Sequence, residues 1–217
     1  MQYQLDDKTI YYNVSYVRSQ KLTMDISPEG FITIRVPKQT EESVIISFLL
    51  TKRKEILKVL DRIENKTTVS RNKEYHEEET FLYQGKVYKL SELISPLPEE
   101  EQQIQLELKR FYTQQTRKII KERVGYYEKQ IGVKSKSVTI VDSAKTWGTC
   151  NNNRDLTFNY RLSMAPLPVI DSIVIHELCH LLHLNHDRSF WRKVGTYDAN
   201  YKEHHSYLDR FGFYMTI

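Results

Sequence analysis

Cysteine is scarce in this chain: Cys150 and Cys179 are the only two among 217 residues. Two thiols cannot build a disulfide framework, and a reducing cytoplasm is the simplest inference. Long apolar runs are missing too. No stretch approaches the roughly 18 to 20 consecutive apolar residues of a bilayer span, so no membrane partner is expected. Met1 to Ile10 is polar and has no apolar h-region, so no secretory signal is expected. A strong charge excess is also absent. The net charge of +4 at pH 7 permits a nucleic acid or an acidic partner without arguing for one. Neither an internal repeat nor a low-complexity tract interrupts the chain. With 40% hydrophobic and 28% charged residues, it reads as a soluble globular protein with room for one large or two small domains.

The pattern of elements predicts an α+β architecture. Residues 1–36 read as strands: Ile10, Tyr12, Val14 and Tyr16 alternate with polar residues, as does the run from Phe31 to Val36 beyond the turn Ser27-Pro28-Glu29-Gly30. The pair suggests an antiparallel meander. A helix then starts near Thr40, with Ile45, Phe48, Leu49, Ile56, Val59, Leu60 and Ile63 as its apolar stripe and a basic interruption at Lys52 to Lys54. Residues 64–79 read as an exposed loop, and Thr80 to Leu90 as a hairpin around Gln84-Gly85-Lys86. Pro96 and Pro98 mark the expected boundary between an N-terminal β-rich part, 1–95, and a C-terminal core, 96–217. The core opens on a long helix from Glu99-Glu100-Glu101 to a C-cap at Gly132. Three strands follow: Val138 to Val141, Lys145 to Cys150 and Leu156 to Leu162, the last two joined by turn chemistry at Asn151 to Asp155. A further helix spans roughly Val169 to Leu184.

That helix carries His176-Glu177-Leu178-Cys179-His180, and His186 follows six residues later. Two histidines four apart project from one helix face and can grip one metal ion, while Glu177 can reach a metal-bound water; this is the HExxH signature of zinc hydrolases. A histidine ten residues after the first has the spacing of a third ligand. Three protein ligands leave the fourth position of zinc open for water, which separates a catalytic site from a structural one. Six of the seven histidines lie between His176 and His205, where scattered surface histidines would not cluster. The helix is apolar on most sides, so it is expected to be buried, and a metal relieves the cost of burying its imidazoles. The implied reaction is peptide-bond hydrolysis through a zinc-bound water activated by Glu177, which then hands the proton to the leaving nitrogen. Tyr197, Tyr201, His204 and His205 are candidates for stabilising the oxyanion.

Competing readings attach to several residues. His183 falls on the same helix face and could close the site as a fourth ligand, which would make the protein a non-catalytic, zinc-stapled binding module. Cys179 reads as a small buried hydrophobe, Cys150 as a packing residue unless it lies at the cleft, and Asn151 to Asn153 as a turn. The basic residues Lys109, Arg110, Arg117, Lys118, Lys121 and Arg123 read as a solvated helix face, with a nucleic-acid groove as the alternative.

The stretch Trp147-Gly148-Thr149-Cys150, then Leu156 to Leu162, Ala165-Pro166, Val174 to His180, Asn185-His186 and Phe190-Trp191, resembles the YgjP-like metallopeptidases. The similarity extends to Tyr201-Lys202-Glu203 with Leu208 and Gly212. At the other end it reaches Tyr16 to Ser19, Gly30, Val36-Pro37 and Tyr83 to Lys86 with Tyr88. WLM and SprT-like metalloproteases share the HExxH core. The resemblance implies a zincin-type core with His176, His180 and His186 as zinc ligands and Glu177 as base. It also implies a cleft edged by the Trp147 to Cys150 strand, where an extended peptide or protein substrate could add by β-augmentation; Trp147, Gly148, Thr149 and Tyr201 are the substrate-binding candidates. By analogy with the WLM and SprT-like proteins, a nucleic-acid-associated protease is a further reading. Two departures stand out: Gln20-Lys21 where more basic residues are usual, and Thr149 where Ser is usual.

Overall fold

The computed structural model describes residues 1–6, 8–26, 32–66 and 73–217, without the side chains of 61–66. The chain forms two compact units, Met1–Thr68 and Val69–Ile217.

In the first unit the alternating segments do become strands. They are β1 (Gln2–Leu5), β2 (Lys8–Val17), β3 (Thr23–Ile26) and β4 (Ile32–Pro37), in the order β1-β2-β4-β3. The expected turn at 27–30 and Phe31 lie outside the described residues. The expected antiparallel meander does not form: β2 and β4 run parallel, with Tyr12 opposite Ile32 and Tyr16 opposite Val36. The intervening segment Thr23–Ile26 is itself a strand, antiparallel to β4, so β4 re-enters in the direction of β2. Burial explains the order. Ile32, Ile34 and Val36 of β4 are fully covered, whereas no residue of β3 is buried, so β4 takes the centre and β3 the edge. The stripe after Thr40 makes two helices, α1 (Glu42–Thr51) and α2 (Arg53–Lys66), broken at Lys52. Lys52 pairs with Glu55 at 2.9 Å and Arg53 bonds both carboxylate oxygens of Asp6. Ile45 and Leu49 of α1 share one core with Ile56 and Leu60 of α2 and with the sheet.

The second unit opens on the hairpin of β5 (Thr80–Tyr83) and β6 (Lys86–Lys89). Gln84 and Gly85 both have positive φ, 48° and 73°, as a tight two-residue hairpin turn requires. This hairpin sits downstream of the unit boundary, not before a boundary at Pro96. The reason is in its hydrogen bonds: Gln84 N–H donates to Ser163 O at 2.8 Å and Gly85 N–H to Met164 O at 2.9 Å. A Cβ on Gly85 would stand 2.6 Å from Pro166 Cγ. A short helix, α3 (Leu90–Leu93), precedes the long α4 (Glu101–Ile131), which ends on Gly132 at φ 79° with its N–H on Glu128 O. Three of the basic residues on α4 are paired and not simply solvated. Lys109 meets Asp142 at 2.7 Å, Arg110 meets Glu107, and Arg123 grips both oxygens of Asp171 at 2.5 and 2.7 Å.

A three-stranded sheet follows, β7 (Ser137–Val141), β8 (Gly148–Cys150) and β9 (Asp155–Asn159), in the order β7-β9-β8, so β8 is an edge. The expected third strand stops three residues early. Asn159 donates its amide to Ser143 O and Thr146 O, accepts from Arg161 N–H, and so caps a 3-10 turn over Tyr160–Met164. Asn151 makes the β8–β9 turn, its Oδ1 accepting from Asn153 and Asp155 N–H at 2.9 Å each. The last helices are α5 (Leu167–Cys179), α6 (Arg188–Tyr197) and α7 (Tyr201–Phe211). Helices and small sheets together make the α+β class. No helix among the described residues is long and apolar enough to cross a membrane.

Candidate active site

The HExxH segment lies at the C-terminal end of α5, whose Val169, Ile170, Val174, Ile175 and Leu178 are all fully buried. The helix closes earlier than the sequence suggests, at His180 and not after Leu184. Leu182 and His183 N–H both turn back onto Cys179 O at 3.0 Å. The chain then reverses, and Asp187 caps α6 by accepting from Phe190 N–H at 2.8 Å. This turn carries His186 back to α5.

Three ring nitrogens converge as a result. His176 Nε2 and His180 Nε2 are 3.2 Å apart, His180 Nε2 and His186 Nε2 3.1 Å, and His186 Nε2 and His176 Nε2 3.0 Å. Ligand nitrogens at about 2.0–2.1 Å from a tetrahedral zinc stand roughly 3.3 Å apart, so the triangle fits such an ion. The protonation chemistry fits as well. His180 Nδ1 bonds His183 O at 3.0 Å; a carbonyl can only accept, so Nδ1 carries the proton and Nε2 offers its lone pair. Burial, then the neighbouring imidazoles, pushes His176 down to about 3, and burial likewise lowers His180. Both are held in the neutral form that ligates metal.

An aromatic casing fixes the rings. Phe190, fully buried, stacks on His180 at 4.5 Å and meets His176 and His186 edge-on at 4.9 Å. Trp191 stacks on His186 at 5.5 Å and on Tyr201 at 5.0 Å. Among the described residues, His176, His180 and His186 alone form a potential metal-binding cluster. His183 is not part of it: the early helix end takes it off the shared face, and its Nδ1 bonds the Ser189 hydroxyl at 3.1 Å.

Glu177 is 6% exposed, and burial pushes its carboxyl up to about 8. Its carboxylate lies against β8. A Cβ on Gly148 would stand 2.8 Å from both Glu177 Cγ and Oε1, so this position admits no side chain while Glu177 keeps its place. Trp147 is held on the other side of the strand end, packed so closely on Gly212 that a Cβ there would stand 2.8 Å from its ring. Thr149 is exposed on the edge strand and shares a hydrogen bond with Thr157 at 2.6 Å. Tyr201 is tied to the site through Trp191. Among the other oxyanion candidates, His204 is bound to Asp198 at 2.9 Å and Tyr197 lies under Lys193. His205 is in ring contact with a triad histidine, its centroid 5.3 Å from that of His176.

Burial disfavours the thiolate at both cysteines. Cys179 is fully buried and its thiol is pushed up to about 11. Burial, and next the Glu177 carboxylate, also raises Cys150, which makes it less reactive.

The family model for the YgjP-like metallopeptidase domain matches residues 20–211. No curated protein matches the chain. Among solved structures, the metallopeptidase zymogen of Pyrococcus abyssi abylysin is similar over 42% of this chain and 90% of its own. The identity is 20% and the TM-score 0.38, too remote a likeness to bear on function.

Proposed function

The chain belongs to the YgjP-like metallopeptidase family, and from that premise we propose a zinc-dependent peptidase in which His176, His180 and His186 hold the ion and Glu177 is the general base. The convergence of three imidazole Nε2 atoms within 3.0–3.2 Å of one another, beside a buried carboxylate, carries this reading. An all-imidazole donor set suits zinc, and three ligands leave it an open position. When bound, zinc supplies Lewis-acid polarisation of a carbonyl and brings the pKa of water to about 7.

The protein's own groups do the rest. Glu177 takes a proton from the attacking water and returns it to the leaving amide nitrogen. Its surroundings suit both halves of that task, because burial brings the carboxyl towards neutrality, where it can accept and donate. Gly148 lets the β8 backbone approach Glu177 closely, and the edge of β8 offers backbone N–H and C=O groups to an extended peptide. On this reading Trp147, Gly148 and Thr149 line the substrate strand, and Tyr201 supports the cleft through Trp191. Phe190 and Trp191 hold the imidazoles in the ligating orientation.

Glu177→Gln tests the proposal. The variant is expected to retain one zinc per chain by elemental analysis while cleavage of an unfolded protein substrate falls by about 10²–10⁴-fold, the usual worth of a general base. Cleavage at the wild-type rate by a zinc-loaded variant would remove Glu177 from the mechanism.

A further inference from the structure

The triad histidines are unequally supported at their outer nitrogens. His180 Nδ1 has a backbone carbonyl at 3.0 Å. His176 Nδ1, by contrast, is buried without a hydrogen-bond partner. Ligating histidines nearly always donate from the nitrogen that does not face the metal, because that bond fixes both tautomer and ring orientation. A buried N–H left without an acceptor is costly.

A second nitrogen in the same condition lies next to it. His205 Nε2 is also buried and unpartnered. Its ring centroid is 5.3 Å from that of His176, at an interplanar angle of 47°. At this separation, two ring nitrogens turned towards each other are in direct hydrogen-bond reach or one water apart. His176 lies on α5 and His205 on α7, two helices that pack against each other. Trp191 and Tyr201 border His205, with ring centroids at 6.2 and 6.3 Å. His205 does not join the cluster of three whose ligand atoms lie within 4.8 Å of one another, so its place is behind the triad and not within it.

We infer that His205 is the positioning residue for His176. Its Nε2 accepts the His176 Nδ1 proton, directly or through one water, so that His176 Nε2 faces the metal with its lone pair. The proton stays on His176, and His205 carries its own on Nδ1. This rests on the metal reading of the triad, and the test separates the two. Zinc affinity of the full chain is measured by competition with a chromophoric chelator for the wild type, His205→Phe and His205→Gln. Phe keeps the ring and removes the acceptor; Gln restores one.

The expected result is a zinc Kd weakened about 10–100-fold in His205→Phe and largely recovered in His205→Gln, with the metal-free Phe variant still folded by circular dichroism. Nitrogen-15 NMR of the metal-free wild type is expected to show His176 as the Nδ1–H tautomer, a readout that stands even if a variant does not fold. Equal zinc affinity in His205→Phe and wild type, or His176 as the Nε2–H tautomer, would overturn the inference. A wild type without measurable zinc affinity would overturn the metal reading itself.

Discussion

Gly148 connects a residue choice to the chemistry most directly. The close approach of its backbone to Glu177 is steric, since an added Cβ would stand 2.8 Å from the carboxylate side chain. Gly148→Ala is therefore expected to displace Glu177 and lower peptide cleavage by about 10²-fold, the scale of a misplacement near 1 Å. Zinc affinity should stay within about twofold, because the three atoms nearest the added methyl all belong to Glu177 and not to a ligand. Steady-state cleavage and zinc titration check this together; loss of both would point to a collapsed site instead. The approach of His176 to His180 was legible from residue spacing, because a helix converts a separation of four into a shared face, and His186 was legible from its place ten residues after the first. His205 was legible as one candidate among four but not as His176's neighbour. Its distance from α5 along the chain hides a contact that only the packing of α7 creates.

At the scale of elements, α5 is held in place by polar links as well as by its apolar faces. Asp171 takes two hydrogen bonds from Arg123 and one from Tyr127 at 3.1 Å, which ties α5 to α4. Asp171→Asn leaves a half-buried guanidinium without its counter-charge and is expected to cost about 1–3 kcal/mol in urea unfolding. Asp198 joins α6 to α7: its N–H reaches Val194 O, and its carboxylate binds His204 Nδ1 at 2.9 Å. Burial, the largest single effect, would raise this carboxyl, but the His204 bond and charge, the Ser172 hydroxyl and the Asn200 N–H together outweigh it and leave the pKa below the ordinary value. A carboxyl lowered on folding adds stability at pH above its unfolded value, about 4, and loses that contribution as pH falls through the folded value. Asp198→Asn should therefore be less stable than wild type near neutrality, with the gap closing in acid. A gap that widened as pH fell would contradict the pairing. Where periodicity misled, local hydrogen bonds had redirected the backbone. The Asn159 side chain ended a strand whose alternation ran on to Leu162, and the backbone turn onto Cys179 O ended α5 before Leu184. The parallel pairing of β2 with β4 was hidden because β3 is only four residues long, with Met24 and Ile26 as its half-buried side chains, and so carries little apolar signal.

For the whole molecule, the proposed site lies entirely within Val69–Ile217. A ligand that binds only the folded state adds about 2.7 kcal/mol of stability at 100 times its Kd. Zinc is accordingly expected to raise hydrogen-exchange protection in α5, α6 and α7 while leaving the strands β1 to β4 unchanged; equal protection in both units would contradict this placement. The boundary expected at Pro96 illustrates why organisation is harder to read than a motif. The Gln84-Gly85 turn belongs with the second unit through two backbone bonds to Ser163 and Met164, and backbone bonds leave no trace in residue type. The central claim is a three-histidine zinc centre, and anomalous diffraction at the zinc edge from zinc-loaded crystals tests it most directly. One peak bonded to Nε2 of His176, His180 and His186, with a non-protein ligand beside Glu177, is the predicted result. A peak completed by a fourth side chain such as His183, or one located away from the triad, would contradict the account.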